Sequence, residues 1–553
     1  MIYFEKRRCE KGVWMMKLSI LALPEQHKVM HSYNNDLDFI HRYFDYENKE
    51  SSFTERVEEL SKRPFNRRGV AETVRQFMKP FGISKNAERH IEELAEDAVT
   101  VIGGQQAGIL TGPLYSVHKA ITVILLAKKQ REALGIPVVP IFWVAGEDHD
   151  LNEINHVYTE MDGRVTKEQI QDKFVLKLMA SDATFNQTEM SRFVTSIFGK
   201  FGETSYTKPL LDGVLETIKK ETTFTGFFVR LMNGLFADEG LLFLDSAFKP
   251  LRELESDYFC MLINESETIA KSIFEMEQQF EDDGFGKPLE VQEDASHLFY
   301  VHETGRALLT RRNGYFVNDS AGLRFSEEEM LKIAKETPSL LSNNVSTRPL
   351  MQDLVFPVLA FVGGPGEITY WAVLKKAFHA LGIKMPVIVP RMSITLVSRK
   401  AQKALRDKSF TMEGVMAGEV AIARHEFIEG LRDDRLEEAV NTAEKKLAAD
   451  YEEMGLLIGE EETMMQELLQ KNLQFHTSQF KYIKEKSEDA QLIKHEIAVR
   501  IYDNIETELV PNGGLQERIY TPYGYLNSYG PTLIQDLLRL PFEMDGTHKV
   551  VFL

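Results

Sequence analysis

Six residues able to do acid–base or ligand chemistry crowd into one short run. GEDHDLNEINH (146–156) holds Glu147, Asp148, His149, Asp150, Glu153 and His156. A carboxylate beside a histidine suits proton transfer or the holding of an ammonium group. If a helix begins here, His149, Glu153 and His156 share a face at i, i+4 and i+7, a spacing open to a metal. The run is not HExxH and no cysteine contributes, so a general base or amine anchor is the better reading and no metal is expected. A second run, GGQQAGILTGPLYSVHK (103–119), carries Gln105, Gln106, Gly112, Tyr115, His118 and Lys119. It is neither a Walker A loop nor a GxGxxG fingerprint. Its glycines still let a ligand approach the backbone, and His118 and Lys119 fall in the first two turns of the next helix, where both could face an anion. The bland alternative is a packed His118 and a solvent-facing Lys119.

Two further runs carry weaker signals. GGPGEITYW (363–371) puts Glu367 near a helix N-terminus, where an acid is stabilising without any function. Tyr370 and Trp371 either line a pocket or pack inside. The tail 511–538 gathers Gly513, Arg518, Tyr523, Tyr525, Asn527 and Tyr529. Aromatic faces with an arginine suit a ring-bearing ligand such as a nucleotide, and equally suit packing.

These residues need elements to position them. Residues 98–102 read as a buried parallel strand ending at Gly103-Gly104. Pro113 suits the first turn of a helix that runs to about Leu134 and stops at Gly135 and Pro137. Residues 138–144 form the next strand and close a βαβ unit. Both polar runs then fall at the carboxyl ends of strands, where open parallel sheets bind ligands. The grammar repeats in 345–393: a strand over 354–362, Gly363-Gly364-Pro365-Gly366, a helix from Glu367 or Ile368 to Leu381, and a strand over 386–389 that ends in Arg391 and Ser393.

Elsewhere, 17–97 reads as mostly helical, and the basic cluster Arg63, Arg67 and Arg68 reads as a solvated face. Residues 151–250 alternate short strands and helices, with a hairpin at Asp162-Gly163 and a buried strand over 240–246. Residues 251–285 are helical, and 298–319 form an antiparallel meander turning at Thr304-Gly305 and Asn313-Gly314. From 394 to 508 prolines vanish. Leu436, Val440, Ala443 and Leu447 keep heptad spacing, and Phe480, Ile483, Ile497 and Ile501 make a second stripe. A break at 455–459 suits the tip of an antiparallel helical hairpin. Such an arm is either structural or a dimer contact.

At 553 residues the chain exceeds one core, so two or three domains are expected. A net charge of −19 argues against a general nucleic-acid surface, and anionic substrates would need a local basic pocket. Two cysteines, Cys9 and Cys260, point to a reducing cytoplasm and to no disulfide framework. No apolar run approaches the ~20 residues that span a bilayer. Residues 1–16, with Met15 and Met16 just before LSILALP, read as a disordered extension from an upstream start.

The motifs GQQAGILTGPLYSVHK, PIFWVAGEDHDLNEINH, RPLMQDLVFPVLAFVGGPGEITYW, MPVIVPRMS and PNGGLQERIYTPYGYLN together resemble the bacillithiol biosynthesis cysteine-adding enzyme family, over about 18–553. The resemblance implies an α/β fold: a Rossmann-like parallel sheet core (17–393) with connective insertions near 158–240 and 285–345, an α-helical antiparallel coiled-coil domain (394–508) used for dimerisation, and a C-terminal segment (509–553) packing back on the core. It implies a cytoplasmic homodimeric ligase that forms an amide between L-cysteine and glucosaminyl-malate in the last step of bacillithiol biosynthesis. ATP is the expected energy source, and neither nucleic acid nor membrane is a partner. The fold is similar to class I synthetase cores, with GPLYSVHK and RMSIT standing where those carry their HIGH and KMSKS motifs. On this resemblance the catalytic candidates are His118, Lys119, Asp148, His149 and Asp150. The substrate-binding candidates are Gln105, Gln106, Gly112, Tyr115, Trp143, Glu147, Gln352, Gly364, Glu367, Tyr370, Arg391 and Ser393. Gly513, Arg518, Tyr523 and Asn527 are the nucleotide-binding candidates. A metal-dependent hydrolase using His149, Glu153 and His156 is the alternative from another class. A coiled-coil scaffold with a relic sheet is a third, weakened by the polar runs at two strand ends.

Overall fold

The computed structural model describes residues 16–23, 27–170, 178–302, 305–432, 434–458 and 461–553. Residues 1–15 of the expected extension, Cys9, Thr304 and Gly459 lie outside the described residues. The chain divides into two compact units. One comprises the described residues up to 161, together with 165–396 and 515–553; the other comprises 162–164 and 397–514.

The first unit is built on a five-stranded parallel sheet. Its strands run in the order Val387–Pro390, Val358–Gly363, Val99–Gln105, Val138–Val144, Leu242–Asp245, and every neighbouring pair is parallel. The first of these strands in the chain, Val99–Gln105, is central. The chain winds away from it to one side and later returns to the other. The sheet therefore has a topological switch point between Val99–Gln105 and Val358–Gly363, where the carboxyl ends diverge and a crevice opens. The run VVPIFWV is buried throughout, as a strand covered on both faces requires. Helix Leu114–Leu134 crosses over between the first two strands and stops at Gly135, whose left-handed conformation (φ +66°) costs a glycine little.

Several expectations need correction. Residues 17–21 are not helical: Lys17–Leu21 is a strand, antiparallel to His548–Phe552, in a three-stranded sheet with Ser393–Val397. Ser393 thus opens that strand rather than ending the parallel sheet. The strand expected over 354–362 starts at Val358, because Thr347–Val355 is a buried helix whose all-apolar end mimics strand composition. The helix after the second glycine turn starts at Pro365, where a proline at N1 and Glu367 bonding back to the Gly364 N–H fix its start. The basic cluster is not simply a solvated face. Arg63 donates to Asp353 (2.7 Å) and Arg67 to the Ala98 carbonyl (2.6 Å), and only Arg68 is exposed. After the hairpin His156–Met161/Arg164–Gln169, three helices (Gln187–Lys200, Thr207–Lys220, Phe224–Phe236) follow one another before the next core strand. The meander is part of a five-stranded antiparallel sheet that also recruits Leu341–Asn343.

The second unit is helical. Helices Asp434–Ile458 and Thr463–Lys494 pair antiparallel, with Lys484 reaching Asn441 (2.8 Å) and Gln466 reaching the Gly455 carbonyl (2.8 Å). Gly455 is inside the helix, not at the break. Of the expected stripes, Val440 is buried, but Leu436, Ile483 and Ile497 are 37%, 46% and 83% exposed. Polar residues such as Asn441 and Lys484 occupy the seam, so counting apolar residues alone misses its phase. Among the described residues no helix is long and apolar enough to cross a membrane.

Candidate functional site

A cleft of about 290 Å³ opens at the switch point of the parallel sheet, lined from both glycine turns. From the first βαβ unit come Gly104, Gln105, Gln106, Tyr115, Lys119, Trp143 and Asp148. From the second come Gly364, Pro365, Gly366, Glu367, Tyr370 and Arg391. Helix Thr347–Val355 adds Arg348 and Gln352, and the C-terminal segment adds Arg518.

Lys119 joins the two units at the cleft floor. It is 1% exposed, donates to the Gly104 carbonyl (2.6 Å) and Gln105 Oε1 (3.1 Å), and pairs with Glu367. Neither the solvent-facing alternative nor a free anion-binding lysine describes it. Burial pulls its pKa down, and Glu367 opposes that pull. Glu367 also accepts the Gly364 N–H (2.7 Å), so one carboxylate caps its own helix and neutralises a lysine from the other unit. Such a pair contributes little net stability when intact, but losing one partner costs about 3–5 kcal/mol when the charge left behind is buried.

Asp148 also lines the cleft. Burial alone would raise its pKa. Bonds from Gln106 Nε2 (2.6 Å) and from the backbone N–H groups of His149 (2.7 Å) and Asp150 (3.3 Å) outweigh that and hold it below the ordinary value. It is a fixed anion at neutral pH. Arg348, also in the lining, bonds the Tyr370 hydroxyl (2.7 Å) and remains cationic. Arg391 forms a two-bond fork with Glu517 (2.6 and 2.8 Å). The cleft therefore balances two of its cations internally, through Glu367 and Glu517. It leaves Arg348 and Arg518 as positive charge and Asp148 as negative charge in its lining.

Not every candidate reaches the cleft. His118 is fully buried and gives its Nδ1 side to Glu517 (2.9 Å); burial lowers its pKa, so it sits there as a neutral donor. Ser393 likewise bonds Glu517 (3.0 Å) and His548 (2.9 Å). Glu147 points into the interior, holding Arg252, Ser342 (2.7 Å) and the Asn343 N–H (3.3 Å), and is a brace rather than a substrate contact. Asp150 is exposed and caps Asn152 (3.1 Å). His149 sits against the Phe299 ring (6.1 Å between centroids), outside the cleft lining. Gly112 is needed for its turn (φ +68°), beside Gly108 and Ser116. Tyr523 packs on Phe198 (6.0 Å), and Asn527 bonds Thr207 (2.7 Å) and the Gly202 carbonyl (3.0 Å), so both serve packing. Gly513 belongs to the helical unit. The open helix N-terminus imagined for the first unit is covered, since the Leu114 N–H donates to the Tyr520 carbonyl (2.8 Å).

The metal reading fails on geometry. Residues 151–155 form turns, so His149, Glu153 and His156 never share a helical face. His156 bonds the Asn152 carbonyl (3.0 Å) and Glu153 takes a bond from Gln106. No group of three possible ligands comes together among the described residues.

Two residues escaped sequence reasoning. Arg348 opens the run RPLMQD, and Glu517 lies in LQER; only their positions ahead of a buried helix and beside Arg518 could have drawn notice.

Fold and site together define a Rossmann-like protein whose cleft, at a sheet switch point, is lined by charges of both signs. The model of the bacillithiol biosynthesis BshC N-terminal Rossmann-like domain matches residues 16–392, and that of the BshC C-terminal coiled-coil domain matches 394–553. The chain belongs to the bacillithiol biosynthesis BshC family. It is 42% identical over 538 residues to a Lysinibacillus sphaericus protein, 35% over 539 to one from Halalkalibacterium halodurans and 34% over 539 to one from Bacillus velezensis. Each alignment covers 97% of this chain and 100% of the relative, and each relative bears the name "Putative cysteine ligase BshC".

Proposed function

We propose that this chain is a cytoplasmic ligase that forms the amide between L-cysteine and glucosaminyl-malate, the last step of bacillithiol biosynthesis. The observation that carries the reading is the charge layout of the cleft. Arg348, Arg518 and Asp148 all line it, so it offers charges of both signs; Arg348 bonds the Tyr370 hydroxyl and Asp148 takes a bond from Gln106. The acceptor has matching ends, a malate dicarboxylate and an amine. Asp148 is held too far below neutrality to be an effective general base, so it anchors the ammonium form. The ammonium first gives one proton to solvent; the new C–N bond then forms at the cysteine carboxyl carbon as one C–O bond breaks, and the nitrogen gives its second proton to solvent. ATP is the proposed activator, its phosphoryl or adenylyl group leaving with that oxygen. The glycines at 104, 364 and 366 give such a group access to the backbone. The proposed partner of the helical arm is a second copy of the chain, since Leu456, Leu457 and Met464 are about 80% exposed there (80%, 82% and 79%).

The purified protein, incubated with cysteine and glucosaminyl-malate, should yield bacillithiol by mass spectrometry only when ATP is present. Asp148→Asn should lower the rate on the order of 100-fold. Absence of product with and without ATP would overturn the reading. Light scattering of the same sample should give a dimer mass.

A further inference from the structure

We infer that Glu517, in the C-terminal segment, is a positioning residue that sets the orientation of Arg391 at the wall of the cleft. This rests on the reading of the cleft as the binding site for a dicarboxylate. Glu517 is 2% exposed, so its carboxylate can be satisfied only by protein groups. Its two oxygens accept from both Arg391 Nη atoms (2.8 and 2.6 Å), His118 Nδ1 (2.9 Å), Ser393 Oγ (3.0 Å) and the Ile394 N–H (3.1 Å). That saturates the group and leaves no room for a ligand on it. Arg391 is thereby held at the cleft wall by a planar fork that lysine could not reproduce. It also gives Nη1 to the Met392 carbonyl (2.9 Å) and lies 5.9 Å from the centre of the Tyr115 ring, which lines the same cleft.

The segment that delivers Glu517 is itself clamped. Gln516 bonds both backbone groups of Leu396 (2.8 and 2.9 Å), so residues 516–518 are tied to the strand that follows Arg391. The next residue, Arg518, then reaches the cleft. Neighbouring residues thus do opposite things: Glu517 cancels one cation and Arg518 supplies another. A segment far along the chain from both glycine runs decides in which direction the Arg391 guanidinium is held.

Binding of L-malate, measured by calorimetry on the full chain, tests this separately from turnover. Wild type should bind malate, and Glu517→Gln should bind it at least 10-fold more weakly while circular dichroism stays native. The KM for glucosaminyl-malate should rise in that variant with little change in the KM for cysteine, a split that a general loss of stability does not produce. If Glu517→Gln does not fold, Arg391→Lys, which keeps the charge and loses the fork, should show the same weakening. Wild type binding malate while a folded variant of either kind binds equally well would overturn the positioning role alone. Wild type failing to bind malate would overturn the reading of the cleft, and the positioning role with it.

Discussion

The two βαβ units are built to one pattern and finished differently. Each carries a glycine pair at the carboxyl end of a strand and feeds a helix whose residues line the cleft, but Gly103-Gly104, expected to end the first strand, still pair within Val99–Gln105, whereas Gly363 ends its strand and Gly364 caps the next helix. In the second unit the turn passes directly into a helix that caps itself through Glu367. In the first, eight residues (106–113) separate strand from helix, and the helix start is covered by the Tyr520 carbonyl. The second unit's local capping acid doubles as the partner of the first unit's Lys119. A locally sufficient role does not exclude a tertiary one. Glu367 has a complete helix-capping explanation and still neutralises the cation at the cleft floor.

The comparison can be broken first at its joint. Lys119→Ala removes a side chain that bonds the Gly104 carbonyl of the first unit and Glu367 of the second. Turnover should fall by at least about 100-fold, and stability by roughly 3 kcal/mol, the low end for a broken buried pair because Glu367 keeps its Gly364 bond and is 22% exposed. Rate assays and denaturant unfolding would measure both, and unchanged turnover would remove the lysine from the site. The turns themselves come next. A Cβ at Gly104 would lie 2.4 Å from the Trp143 carbonyl oxygen, whereas one at Gly366 meets nothing within 4 Å. Gly104→Ala should therefore lose about 2 kcal/mol of stability by overpacking, while Gly366→Ala should hold or gain a few tenths of a kcal/mol. Equal effects in unfolding titrations would show that the two turns are constrained alike.

A further test, without any expected change in turnover, works by pH. Beside the first unit's acidic loop, buried Asp245 at the end of the third core strand is pushed up to about 6 by desolvation, with bonds from Ser181 and the Ala247 N–H opposing. A raised carboxyl favours the folded state fully below its unfolded value of 3.8, and this contribution is lost as pH rises through about 6. Wild type should lose up to about 3 kcal/mol across that window from this group. Asp245→Asn should flatten the dependence, seen as a Tm gain at pH 8 that is absent at pH 4. Identical pH–Tm curves for the two proteins would refute the assignment.

Much of the site was legible because its signals are local. The βαβ pattern and the polar runs at strand ends placed Gln105, Gln106, Tyr115, Lys119, Asp148 and Glu367 at one cleft. The same locality misled elsewhere. The acidic run looked like one cluster, yet its members diverge: Asp148 lines the cleft, Glu147 braces the interior and Asp150 meets solvent. A turn rotates consecutive side chains in unrelated directions, so density in sequence does not become convergence in space. The aromatic tail looked like a ligand site, but Tyr523 and Asn527 pack against neighbouring helices while unremarked Glu517 anchors Arg391.

From its own order the chain determined most of the core strands and helices, and that both glycine runs lie at the carboxyl ends of a parallel sheet. These depend on periodicity and turn chemistry acting over a few residues. Only the tertiary structure decided the partners. Lys119 could have met any of 84 acidic residues and meets Glu367, 248 positions away. His118 meets Glu517, 399 positions away. Lys17–Leu21 pairs with His548–Phe552 near the other end of the chain. Buried charges must be matched wherever the fold brings them. That matching is a property of distance in space, which no local pattern encodes.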